Sequence, residues 1–221
     1  SGADLNGMAA QAAARTIRER MVNYLVETLT VPAESVVFAG GRVSHARGSL
    51  SFADLAQQCY VGRVQLSAAG YYATPRISWD RDRAEGRPFL YYSYGAACSE
   101  VTIDTMTGEM KVDRVDILHD CGRSLNPAID IGQIEGGFIQ GLGWLTTEEL
   151  VWDAKGHLRT HAPSTYKIPC CSDLPPEFNV RLWNGSNREE TIYSSKAVGE
   201  PPLMLAASVF SAVFDALTSL K

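Results

Sequence analysis

The apolar positions first recur with the period of a helix. Across residues 5–29 they repeat at steps of three and four, which predicts a helix with Asp4 as its N-cap. An alternating stretch then predicts a hairpin that turns at Gly40 and Gly41, and residues 51–55 open a second, short helix. The N-terminal part is therefore predicted to hold two helices and a small hairpin.

The pattern changes to strands across residues 64–120. The aromatic run 89–94 predicts one strand, and residues 100–104 and 110–117 alternate on either side of a turn at Thr107 and Gly108. Such a pair is typical of an antiparallel hairpin with one solvent-facing side. Further short strands are predicted at residues 148–152, 158–161 and 178–183.

A glycine-rich helix is predicted to begin near Ala128. It presents apolar residues at helical spacing and contains five glycines: Gly132, Gly136, Gly137, Gly141 and Gly143. Each glycine inside a helix costs about 1 kcal/mol relative to alanine. We therefore expect another backbone or a ligand to approach this helix closely.

Pro201 and Pro202 begin a last helix, which is apolar on nearly every side and is predicted to be buried. Since helices and strands do not alternate strictly, the fold class is α+β, with an antiparallel or mixed sheet and helices packed on it. There is no linker rich in proline and glycine. We expect one domain, or two packed lobes at about residues 1–125 and 126–221.

Composition and net charge argue against some classes of partner. The chain has 221 residues with 20 basic and 25 acidic side chains, a net charge of −5, which argues against nucleic acid or an anionic membrane as partner. The five scattered cysteines are typical of reduced thiols in a cytoplasmic protein. The N-terminus lacks an initiator methionine and a signal-peptide pattern, so we expect a processed product or a piece of a longer protein.

Familiar catalytic signatures are absent from the sequence: it has no phosphate-binding GxxxxGK[ST] loop, no HExxH and no GxSxG. His119 and Cys121 could share a strand face, but nothing beside them orients a base, so we expect core and rim residues of a strand end. His157 and His161 flank a glycine turn rather than lying on a helix, which does not favour a metal site.

Two residues are better candidates, each with a plainer alternative. Gln133 is an amide among the small residues of the glycine-rich helix, or simply a surface glutamine. Glu200 precedes two prolines at a helix start, where it is either a preorganised general base in apolar surroundings or a carboxylate that stabilises the helix dipole by up to about 1 kcal/mol. The residues alone leave both alternatives open.

Three motifs carry a family resemblance. NPAIDIGQIEG at residues 126–136, STYKIP at 164–169 and KAVGEPP at 196–202 closely resemble the xanthine dehydrogenase and aldehyde oxidase family of molybdenum hydroxylases. The resemblance covers almost the whole chain. It is most similar to the C-terminal segment of the molybdenum-cofactor-binding subunit of bacterial xanthine dehydrogenases.

The resemblance implies an oxidoreductase that oxidises purines, hypoxanthine and xanthine to urate. It implies that Glu200 is the catalytic base, that Gln133 hydrogen-bonds the molybdenum end of the molybdopterin, and that the backbone from Lys196 to Gly199 runs beside the pterin. Ser1 looks like the tail of another pterin-facing loop. Iron–sulfur clusters and FAD would belong to other domains or subunits, and we expect no cofactor in the isolated chain.

The implied partners are the rest of the molybdenum subunit, the iron–sulfur/FAD subunit and a purine. Faces turned toward the missing part should be apolar, around Phe138, Met204 and Phe210, and would favour self-association of the fragment. Two alternatives stay open: a non-catalytic folding or assembly module, and an aldehyde substrate. A self-sufficient hydrolase built on Cys121 or a serine is a third and weaker one.

Overall fold

The structure is a computed structural model that describes residues 2–220. It contains two compact units, Ser1–Pro75 and Arg76–Lys221. Each unit combines helices with small sheets, which confirms the predicted α+β class. Residue 125, where the two lobes were expected to meet, lies inside the second unit.

The first unit consists of two helices and a three-stranded antiparallel sheet. Its elements are α1 (Gly2–Leu29), β1 (Val37–Ala39), β2 (Arg42–His45), β3 (Gly48–Ser51) and α2 (Phe52–Val61). The predicted hairpin is confirmed, with positive φ at Gly40 and Gly41, and β3 extends it beyond the prediction. Asp4 lies in the first turn of α1 rather than at its N-cap, because the helix begins two residues earlier.

The core of the first unit lies between α1 and the elements that follow it. Met21 and Leu25 of α1 are buried together with Val43 of β2 and with Leu55 and Cys59 of α2. The Ser51 hydroxyl caps α2 by accepting a hydrogen bond of 3.0 Å from the Asp54 amide. The helical spacing of the apolar residues thus gives one buried face on each helix.

The second unit is built on a mixed three-stranded sheet. Its elements are β4 (Ser78–Asp80), β5 (Glu85–Arg87), β6 (Gly95–Ile103), β7 (Met110–His119), α3 (Pro127–Thr146), β8 (Glu177–Leu182) and α4 (Ala207–Thr218). β6 and β7 form the predicted antiparallel hairpin, and β8 pairs with β7 in parallel. β4 and β5 form a separate two-stranded sheet.

The core of the second unit lies between this sheet and the helices. Val115 and Ile117 of β7 pack with Ile134 and Phe138 of α3 and with Val209 of α4. Phe138 is fully buried, so the exposed apolar face expected around it is wrong. The helical spacing of α3 turns this residue onto the sheet, where it is needed to fill the core.

Three predicted strands are wrong. Residues 89–94 form no strand: Tyr94 O, which accepts from the Asp120 amide at 2.8 Å, continues the β6–β7 hydrogen bonding by one residue, whereas Tyr92 O accepts from the Lys196 side chain at 3.0 Å. Residues 148–152 and 158–161 make a single bridge, between Trp152 and Leu158.

The last helix is not buried as predicted. Residues Pro201–Ala206 form a 3₁₀ helix that leads into α4, and one face of α4 packs on the core through Val209. Phe210, Phe214 and Leu217 remain 55%, 63% and 52% exposed, because α4 meets the core along one side only. Within the described residues, Pro201–Thr218 is also the one helical stretch long and apolar enough to cross a membrane, a test that core helices pass as well.

Candidate functional site

The segment 194–199 lies beside the residues that come directly after β7. Gly122 and Ser195 form an antiparallel bridge, the Arg123 amide donates to Ser194 O at 2.9 Å, and the Lys196 amide donates to Cys121 O at 2.7 Å. Gly122 has a φ of +63°, and a Cβ there would lie 2.6 Å from Ser194 O, so only glycine allows this approach. The segment 194–199 is thus attached to the end of β7.

The aromatic segment 89–94 holds the same residues from the other side. The Ala197 amide donates to the Tyr91 hydroxyl at 2.8 Å, and the Ser93 hydroxyl donates to Ala197 O at 2.8 Å. Two side chains of residues 89–94 thus hold the backbone of Ala197.

The Lys196 side chain has partners within its own chain. It is 10% exposed, and its ammonium forms an ion pair with Asp120 Oδ2 at 2.6 Å. It also lies 5.2 Å from the centre of the Tyr94 ring, within the range of a cation–π contact. Sequence reasoning missed Asp120, although a carboxylate directly after a strand end was a visible signal.

A cavity of about 680 Å³ opens beside this ion pair. Asp120 and Lys196 line it together with aromatic side chains from two segments: Phe89, Tyr92, Tyr94 and Trp183. The cavity lies wholly within the second unit. Three of these four aromatic side chains belong to the segment 89–94 that holds Ala197.

Gln133 and Gly199 lie against each other although they are far apart in the sequence. A Cβ built on Gly199 would lie only 2.9 Å from Gln133 Oε1. One turn further along α3, a Cβ on Gly137 would lie 3.2 Å from Gly199 O and from Pro202 Cβ. Both glycines therefore allow α3 to approach the segment that leads to Glu200.

Glu200 comes directly before the 3₁₀ helix, and its carbonyl accepts a hydrogen bond of 3.1 Å from the Leu203 amide. The following Pro202 is buried, which anchors the backbone at this point. The Glu200 residue itself is exposed, so the apolar surroundings expected for it are not supplied by the described part of the chain.

The five glycines of α3 have two different explanations. Gly141 and Gly143 are needed for packing, like Gly137: a Cβ on Gly141 would lie 2.8 Å from Ala206 Cβ, and one on Gly143 would lie 2.5 Å from Pro169 Cδ. Gly132 and Gly136, one turn apart beside Gln133, would meet nothing within 4 Å. Packing within this chain does not explain them, and they leave helix backbone open to an approaching group.

His119 and Cys121, predicted as core and rim residues of a strand end, both lie in the core. Each is 1% exposed, and burial raises the pKa of the Cys121 thiol and lowers the pKa of His119. A thiol held protonated in the core is not a nucleophile, which removes the basis for a hydrolase built on it. His119 Nδ1 has no hydrogen-bond partner among residues 2–220.

His157 is not part of a metal site among the described residues. His157 Nδ1 lies 3.3 Å from Asp153 Oδ2 in an exposed turn, and the described residues contain no cluster of three side chains that could hold a metal ion. Ser1 lies outside the described residues.

Comparisons with known proteins decide the family. The family profile described as "Molybdopterin cofactor-binding domain" matches residues 1–175. The chain belongs to this family. The resemblance to xanthine dehydrogenases is confirmed: the chain is 45% identical over 218 residues to a xanthine dehydrogenase/oxidase of Felis catus, and 50% identical over 178 residues to a xanthine dehydrogenase of Oryza sativa subsp. japonica.

The chain covers only a small part of the length of these relatives. The two matches cover 99% and 77% of this chain but only 15% and 13% of the relatives. Among solved structures, the quinoline 2-oxidoreductase from Pseudomonas putida 86 matches with a TM-score of 0.74 and 26% identity, over 94% of this chain and 26% of that one. The chain thus corresponds to a small part of these longer relatives.

Proposed function

We propose that this chain is part of a xanthine dehydrogenase-type molybdenum hydroxylase, to which it contributes the catalytic base and part of the molybdopterin site. The complete enzyme would oxidise hypoxanthine and xanthine to urate in the cytoplasm. The observation that carries the proposal is the contact between Gln133 and Gly199, which brings two distant motifs together beside Glu200.

The residues present fit the cofactor. Gly132 and Gly136 leave open space along α3 on either side of Gln133, and no side chain of the described chain fills that space. Gln133 and the backbone from Lys196 to Gly199 would hold the molybdopterin. When bound, the molybdenum cofactor supplies the redox centre that takes up the electrons of the hydroxylation.

Glu200 would act as the general base of the reaction. A carboxylate within hydrogen-bond reach can accept the proton of the oxygen nucleophile that attacks the carbon beside a ring nitrogen. Pro201 and Pro202 restrict the backbone directly after Glu200, and Pro202 is buried. The backbone that carries the carboxylate is therefore held before substrate arrives, which saves part of the entropy of ordering it during the reaction. The Gln133 amide, which can donate and accept, would orient the reacting end of the cofactor.

Other domains or subunits would supply the remaining functions of the complete enzyme. Iron–sulfur clusters and FAD on other domains or subunits would carry the electrons away. The rest of the molybdenum subunit would supply the side chains that orient the purine. Alone, the chain would be inactive.

The test is Glu200→Gln in the complete enzyme. This variant keeps the size and hydrogen bonding of the side chain but removes its basicity. We expect unchanged molybdenum content and a loss of kcat of about a hundred- to ten-thousandfold, the usual contribution of a general base. The matched control is Glu190→Gln, an exposed glutamate outside the site, which should leave kcat unchanged. A Glu200→Gln enzyme that is fully loaded and within about tenfold of wild type would refute the base assignment.

A further inference from the structure

We propose that the ion pair between Lys196 and Asp120 positions Glu200, so that both are positioning residues of the reaction. We call this pair the Lys196–Asp120 brace. The inference rests on the proposed function of Glu200, and it gives the Lys196 side chain a role apart from cofactor contact.

The brace is the most buried ion pair among the described residues. Its two side chains are 10% and 16% exposed, whereas every other pair has a largely exposed partner. Lys196 Nζ donates to Asp120 Oδ2 and to Tyr92 O, so two of its three hydrogens are used within the chain. Removing either partner leaves a buried charge uncompensated, which keeps the pair together.

Asp120 is itself held in place. Its amide donates to Tyr94 O at 2.8 Å, and its Oδ1 accepts from the Gly122 amide at 2.8 Å while Oδ2 binds the lysine. The carboxylate thus connects the end of β7 with the aromatic segment 89–94. Lys196 is fixed to the same point through its own amide, which donates to Cys121 O.

A short and constrained path leads from the brace to Glu200. The Ala197 amide and carbonyl are both hydrogen-bonded, Val198 packs on the core of the second unit, and Gly199 lies against Gln133. Each of these three residues is thus in contact with another part of the second unit. A shift at the brace should therefore reach Glu200, and a misplacement of about 1 Å can cost about a hundredfold in rate.

Two other roles would explain a buried charge pair of this kind only in part: an anchor of the fold, or direct binding of the cofactor by Lys196. The experiment uses the complete enzyme with Lys196→Met, Asp120→Asn and the double variant. Arg114→Met is the control, since it breaks an exposed ion pair with Asp116 on the same strand. Molybdenum content, kcat per bound molybdenum, KM and hydrogen exchange of the amides of residues 196–199 are measured.

We expect each single variant to lose about ten- to a hundredfold in kcat per molybdenum, with KM and molybdenum content unchanged. The double variant should be no worse than the worse single variant, because both remove the same interaction. Lys196→Arg should recover most of the activity. The amides of Ala197 and Val198 should exchange faster in both single variants and remain unchanged in Arg114→Met.

Three results would overturn the proposal. Lower thermal stability with wild-type kcat per molybdenum would assign the pair to the fold alone. Loss of molybdenum in Lys196→Met but not in Asp120→Asn would make the lysine a cofactor ligand. Unchanged exchange at Ala197 and Val198 would show that the pair does not hold the segment. An active Glu200→Gln enzyme would instead refute the proposed function. Faster exchange in Lys196→Met and Asp120→Asn would in that case still show that the brace holds residues 196–199.

Discussion

At the scale of single residues, burial decides the protonation of His119. The imidazole is 1% exposed at the end of β7, and Leu205 packs close to the same place. Burial lowers its pKa below the usual value; Lys196 acts in the same direction, and Asp120 opposes them in part. The folded chain therefore favours the neutral ring.

This burial predicts a pH dependence of stability. Because the pKa of His119 is lower in the folded than in the unfolded chain, the unfolded chain binds more protons below the unfolded value of about 6.5, and folding loses stability as pH falls through that range. We expect His119→Met to lose less free energy of unfolding than wild type between about pH 7 and 5. Urea unfolding of the chain at several pH values measures the slope.

His161→Met is the control for this slope, since His161 is exposed and should keep the dependence of wild type. The side chains of Asp116 and Asp173 have lowered pKa values, so they stay ionised above pH 5 and do not contribute. Equal slopes in His119→Met and wild type would contradict the assignment.

At the scale of elements, α3 carries glycines of two kinds. Gly141 allows a close approach by Leu203 and Ala206, whereas Gly132 faces open space in the described chain. The same substitution should therefore have opposite effects at the two positions. Packing explains the first glycine, and the proposed cofactor explains the second.

In the isolated chain, we expect Gly141→Ala to cost about 1–3 kcal/mol, because its Cβ overlaps backbone that must move. Gly132→Ala should instead stabilise the chain by up to about 1 kcal/mol, because alanine favours the helix and meets no neighbour. Denaturant unfolding measures both. In the complete enzyme, Gly132→Ala should lower the molybdenum content, and a fully loaded Gly132→Ala enzyme would show that this glycine does not face the cofactor.

At the scale of the whole molecule, the second unit exposes a large apolar surface on its last helix. Met204 is 71% exposed, and Phe210, Phe214 and Leu217 are each more than half exposed. Exposed apolar patches of this kind mark interaction sites. Since the chain spans about 15% of the length of its relatives, we expect other parts of a longer protein to cover this surface.

We expect the isolated chain to fold, to carry no molybdenum and to self-associate through this surface. It contains two hydrophobic cores, but only part of the groups that would enclose a cofactor. Metal analysis and light scattering test both statements. Phe210→Glu with Phe214→Glu should reduce association, while Tyr71→Glu, an exposed aromatic in the first unit, should not. Stoichiometric molybdenum, or a monodisperse monomer at high concentration, would refute the corresponding part.

The sequence by itself determined the elements whose information is local. The helical spacing of α1 and α3 and the glycine and threonine–glycine turns of two hairpins follow from a few neighbouring residues. The family motifs are local as well, which is why the molybdopterin-binding family could be predicted from three short stretches.

Only the tertiary structure decided where distant segments meet. Residues 89–94 have the composition of a strand but form none, and their polar groups bind Lys196 and Ala197. The apolar character of α4 predicted burial, yet exposure depends on which surfaces the chain supplies to cover it. The pairing of Lys196 with Asp120 and the contact of Gln133 with Gly199 have the same origin: the path of the backbone brings these residues together, and short-range patterns carry no record of that path.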